Sequence, residues 1–136
     1  MKSRETLIRL KRFQVDEKRR RVSQIEAMIA EFDRMATDLD REIAAEEQRS
    51  GIADVAHFAY PTYAKAARTR RDNLKRSAED LKMQLADAQA ELGEAFEALK
   101  KVEVLDSRER AADRMAEAAR EQATLDGIGL ARALRA

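Results

Sequence analysis

Apolar residues return every seven positions through two long stretches of this chain. Ile8, Val15, Val22, Ile29, Ala36 and Ile43 form one row, with Ile25, Phe32 and Leu39 three positions after members of it. Further along, Leu74, Leu81, Ala88, Ala95 and Val102 form a second row, and Ala78, Leu85, Leu92 and Leu99 follow four positions later. A seven-residue repeat of this kind is the a/d seam of a coiled coil. The pattern predicts an all-α fold of two long helices, and a seam of that type offers no pocket for chemistry.

The element boundaries follow from caps and breakers. Ser3 is a good N-cap, and no Gly or Pro interrupts the chain from there to Gln48, so helix one is expected over about 3–48. Ser50 and Gly51 supply a stop, because glycine accepts the left-handed conformation that closes many helices. The bend then covers 49–61, and Pro61 is tolerated at the start of helix two, where its missing donor has no partner to lose. Helix two is expected over about 62–124, with Gly93 a weak point of roughly 1 kcal/mol relative to alanine. Asp126, Gly127 and Gly129 mark its end, leaving 125–136 as a C-terminal tail whose final LARALRA frays or folds only on a partner, so that 1–136 reads as a single coiled-coil domain. At 1.5 Å per residue the helices are about 70 and 90 Å long, and helix two overhangs helix one.

Charge decides how the helices meet. Helix one is basic at Arg9, Lys11, Arg12 and Lys18–Arg21, then acidic from Glu31 to Glu47. Helix two is basic from Lys65 to Arg76 and acidic from Glu79 to Glu97. Folding back at the bend sets opposite blocks side by side, whereas a parallel in-register dimer sets like charges together. Each exposed pair is worth only tenths of a kcal/mol, but the blocks select orientation. The expectation is an antiparallel coiled-coil hairpin, monomeric alone. Lys11 and Lys18 interrupt the first seam. They mark either a loosely packed N-terminal third or an end that another protein completes.

Composition narrows the functional classes. Charged residues make up 39% and hydrophobic ones 44%, without Trp, as in long helices. The net charge of +1 gives no global field for nucleic acid or an anionic membrane. Lys18–Arg21 and Arg68–Arg71 could touch phosphates but lack interleaved aromatics, which leaves nucleic-acid binding a minor alternative. No run approaches the ~20 apolar residues of a membrane span, and the N-terminus lacks the apolar core of a signal peptide, so the chain is expected to be cytoplasmic. There is no cysteine. The single histidine, His57, has no second ligand or nucleophile at a useful spacing and reads as a packing or surface residue. Nothing marks a catalytic, metal or cofactor site. Phe58, Tyr60 and Tyr63 cluster at the bend, either as a local core that staples the turn or as a contact patch.

Against this background the chain resembles a known family. The basic first helix opening with Leu7 and Leu10, and above all Glu121, Gln122, Leu125, Asp126 and Ile128 in EQATLDGIG, are similar to the FliJ family of flagellar type III export components. HFAYPTYAKAARTRRDNL looks like its alphaproteobacterial branch. The resemblance implies a non-enzymatic stalk and adaptor whose termini enter the hexameric export ATPase. It also implies contacts with the export-gate membrane protein and export chaperones, at the cytoplasmic face of the inner membrane. Carried onto this sequence, the ATPase end holds Lys11, Lys18, Arg19, Arg20, Arg21, Leu125 and Asp126, and the bend offers Phe58, Tyr60 and Tyr63. A generic coiled-coil oligomerisation scaffold is the alternative.

Overall fold

The computed structural model describes residues 2–135 and contains two helices, α1 (Lys2–Ser50) and α2 (Thr62–Arg135), packed against each other. No strand occurs among the described residues. Contacts divide the chain into a terminal unit, Met1–Gln14 with Ala95–Ala136, and a bend unit, Val15–Glu94. Each contains a stretch of both helices.

The bend unit holds the main core. Val22, Ile25, Leu81 and Ala88 are buried together, with Ile29, Phe32, Leu85 and Leu92 packed against them. These are the residues of the seven-residue rows, because only that spacing keeps one face of each helix turned to its neighbour. The two seams are complementary in size. Buried α1 positions here are mostly branched (Val15, Val22, Ile25, Ile43), and those of α2 are mostly alanine (Ala64, Ala67, Ala78, Ala88). Large side chains opposite small ones fill the space between close helices without voids. In the terminal unit Ile8 and Leu99 are buried.

Ion pairs fix direction within each unit. In the bend unit Lys18 meets Glu91 at 3.0 Å, Asp40 meets Arg71 at 2.9 Å and Glu47 meets Arg68 at 2.8 Å. In the terminal unit Arg4 meets Asp106 at 3.1 Å and Arg12 meets Glu103 at 3.5 Å. Partners on α2 fall in number as those on α1 rise, which is antiparallel pairing, with basic α1 against acidic α2 and the reverse nearer the bend. The charge blocks thus meet as the sequence predicts.

Gly51 closes α1. Its φ of 73° is left-handed, and its N–H donates to the Glu47 carbonyl at 2.9 Å, as in an αL cap. The Pro61 carbonyl accepts from the Lys65 N–H at 3.0 Å, so proline stands just ahead of the first turn of α2. Two expected boundaries shift. The helix begins at Lys2, placing Ser3 inside the first turn rather than at the cap. More substantially, α2 does not end near 124 but runs to Arg135, and Gly127 and Gly129 are helical. Neither glycine has positive φ. Glycine lowers helix propensity by about 1 kcal/mol without forbidding the conformation, and no proline stands nearby to stop the helix.

Candidate partner-binding surfaces

The expected site residues fall in three places. Lys11, Leu125 and Asp126 belong to the terminal unit, whereas Lys18, Arg19, Arg20 and Arg21 belong to the bend unit. Phe58, Tyr60 and Tyr63 lie at or just past the turn.

In the terminal unit the two-helix packing ends in a cluster of charges. Continuing the seam rows of α2 by sevens from Leu99 and Val102 lands on Asp106 and Glu109. Both are held by Arg4, and Arg110 joins Asp106 at 3.0 Å and Glu5 at 3.9 Å. Burial pushes the Asp106 carboxyl up, but Arg4 and Arg110 outweigh it and hold it below its ordinary value. Among the described residues no helix lies opposite α2 beyond this cluster. From Ala112 to Arg135 every residue is exposed, including Met115 at 75%, Leu125 at 61% and Leu134 at 79%. Asp126 accepts a hydrogen bond from Gln122 at 2.9 Å. A long stretch of helix that buries nothing within its own chain is a surface available to other molecules.

Lys18 is not the unsatisfied seam residue that the heptads suggest. Its aliphatic stem is half-buried while Nζ reaches Glu91, so the charge is carried to the edge of the seam. Val15 and Val22 on either side are buried, which rules out loose packing at this point. Lys11 is half-buried. Arg20 and Arg21 are exposed and form no ion pair among the described residues; Arg19 is exposed as well.

At the bend the aromatic cluster separates into different roles. Tyr60 is buried, which makes it a staple of the turn and removes it as a contact residue. Its hydroxyl donates to Glu47 Oε1 at 3.0 Å and accepts from Arg68 Nε at 2.9 Å, while Arg68 Nη2 donates to the same carboxylate oxygen at 2.8 Å. Three side chains from α1, the turn and α2 thereby close a ring of hydrogen bonds. Tyr63 is half-exposed and donates its hydroxyl to Glu42 at 2.8 Å, which raises the phenol above its ordinary value. Phe58 is 96% exposed and stacked on His57, with ring centroids 4.8 Å apart. His57 Nδ1 accepts the Ala59 N–H at 3.0 Å, so the histidine shapes the turn from the surface.

The bonds from Arg68 and Tyr60 favour the ionised Glu47 and hold its carboxyl below its ordinary range. The folded pKa lies below the unfolded one. The contribution of this clamp is therefore whole above the ordinary carboxylate value and is lost as pH falls through the lowered one. In a Tyr60→Phe variant Glu47 keeps Arg68 but loses the hydroxyl, and its titration midpoint, read from carboxyl carbon shifts, is expected to rise. An unchanged midpoint would mean that the hydroxyl contributes nothing to the ring.

Extending the α2 rows backwards finds residues that rows begun at Leu74 and Ala78 leave out. Seven before Leu74 is Ala67; seven and fourteen before Ala78 are Arg71 and Ala64. Ala64 and Ala67 are buried, and Arg71 holds Asp40 across the seam. Their signal is present but weak, because two alanines and an arginine carry little hydropathy.

Among the described residues no three or more His, Cys, Asp or Glu side chains converge where an ion could sit, and no helix is long and apolar enough to cross a membrane. No curated protein and no solved structure matches the chain. A family model for the flagellar FliJ protein matches residues 1–136. With that match over its whole length, the chain belongs to the FliJ family and is a component of the flagellar export apparatus.

Proposed function

We propose that this protein is a non-enzymatic stalk and adaptor of the flagellar type III export machinery. In this reading its terminal unit joins the export ATPase hexamer, and other surfaces meet the export-gate membrane protein and the export chaperones. It works in the cytoplasm, peripheral to the inner membrane. The observation that carries the reading is the unpartnered length of α2 beyond Arg110, exposed from Ala112 to Arg135 in a family of export components. A helix that projects past the charge cluster around Arg4 can enter a ring without disturbing the packed part of the chain.

We assign Lys11, Leu125 and Asp126 of the terminal unit and Lys18, Arg19, Arg20 and Arg21 of the bend unit to the ATPase contact, the arginines as its basic surface. Phe58 is the bend residue best placed to anchor a contact, since almost none of its ring is covered by its own chain.

Titrating the protein into the export ATPase while recording hydrolysis tests the reading, with stimulation expected. Changing Arg19, Arg20 and Arg21 together to Ala should leave helicity intact and weaken binding about tenfold, the scale of one lost charge-assisted contact. Absence of both binding and stimulation by the unaltered chain would reject the ATPase assignment.

A further inference from the structure

The reversal between the two helices rests on one backbone angle. Gly51, at φ 73°, is the only residue with positive φ among the described residues, and its N–H donates to the Glu47 carbonyl at 2.9 Å. The rest of the turn holds little. Residues 51–59 are exposed apart from half-buried Ile52, and their hydrogen bonds among the described residues stay within 47–60. What holds the bend unit together lies between α1 and α2 instead. Val22 and Ile25 cluster with Leu81 and Ala88, while Lys18–Glu91 and Asp40–Arg71 join one helix to the other. Tyr60 and Arg68 bond to each other at the start of α2, and together they receive Glu47 from α1. None of these contacts depends on whether the α1 that makes it belongs to the same chain or to a second copy.

We infer that Gly51 is a hinge on which the hairpin opens, so that two chains exchange α1 and each α1 packs along the other copy's α2. The left-handed turn, open to glycine, selects the closed monomer. With negative φ at 51 the chain runs on, and the second copy completes the seam. The helices must part before they exchange, so the dimer is reached by refolding chains together rather than by mixing folded ones. The exchange goes beyond the export reading and does not rest on it.

A Cβ at 51 meets nothing within 4 Å, so a side chain there is penalised by φ alone. That penalty disfavours the closed turn about tenfold, and two turns open for each dimer formed, so Gly51→Ala should raise the dimer association constant about a hundredfold. Gly51→Asn should fall between, because asparagine tolerates the left-handed region better than alanine. Gly93→Ala is the control. Gly93 is helical, without positive φ and with equal room, so its replacement favours α2 equally in both forms and should leave the constant unchanged.

Sedimentation velocity of each variant, refolded from denaturant as a mixture of isotope-labelled and unlabelled chains, reads the constant. A carbodiimide, which joins a lysine amine to a carboxylate in contact with it, then reads the pairing, since Lys18 Nζ lies 3.0 Å from Glu91 Oε2. Exchange predicts Lys18–Glu91 linked peptides of mixed isotope in the dimer and of single isotope in the monomer. A constant that does not rise in the order Gly, Asn, Ala at position 51, an equal rise in Gly93→Ala, or a dimer without mixed-isotope Lys18–Glu91 peptides overturns the proposal.

Discussion

Replacing Ile25 by Asp should remove most of the stability of the bend unit, on the order of 4 kcal/mol or more. Ile25 is 1% exposed and sits among Val22, Leu81 and Ala88. The substitution deletes an apolar side chain that its neighbours cannot replace and puts a carboxylate in its place. The side chains it clusters with are apolar, so the charge would be buried without a partner among them or the helices would part. Natural domains have total stabilities of about 5–15 kcal/mol, and a loss of this size is visible as a large drop in melting temperature by circular dichroism. The companion substitution Met83→Asp, at a residue 72% exposed on α2, should change stability by no more than about 0.5 kcal/mol. Equal effects of the two would refute the seam.

The second large effect concerns function rather than stability. Among the described residues, a chain ending at Arg110 retains every ion pair between α1 and α2 and both buried residues of the terminal unit, Ile8 and Leu99. What it loses begins at Ala111, which is half-buried, and continues through Ala112 to Arg135, where every residue is exposed. Its melting temperature should therefore stay close to that of the full chain. Stimulation of the export ATPase, by contrast, should fall at least about tenfold, equivalent to about 1.4 kcal/mol of lost binding. Undiminished stimulation by the shortened chain would move the ATPase contact away from the α2 overhang. A collapse of its thermal stability would mean that the overhang supports the packed helices in a way that burial does not reveal.

These two predictions draw on opposite ends of one design. Where α2 has α1 opposite it, alanine faces branched residues and the seam is buried. Where it does not, alanine and leucine remain along the helix, but charges at Arg4, Asp106, Glu109 and Arg110 have ended the pairing. A similar apolar spacing thus serves burial in one stretch and presentation in the other.

The sequence by itself determined the helices, their seams and their direction. Ile8 to Ile43 and Leu74 to Val102 repeat by sevens, and that spacing has one low-energy arrangement, an inward-facing stripe on each helix. The opposite charge blocks likewise admitted one favourable orientation. EQATLDGIG was legible for the same reason that any short motif is: it is a matter of residue identity, not of contacts. Tertiary structure decided what local chemistry leaves balanced. Gly127 and Gly129 read as a stop, yet the helix continues through them, since glycine weakens a helix without breaking it. Tyr60, Phe58 and Tyr63 look alike in sequence, and only the meeting of Glu47 with Arg68 across the turn buries the first while leaving the second in solvent. Lys18 reads as a flaw in the seam until Glu91 is placed beside it. Periodicity is written into one strand of sequence, but the partner of a charge or a hydroxyl lies tens of residues away and becomes known only when the two helices are brought together.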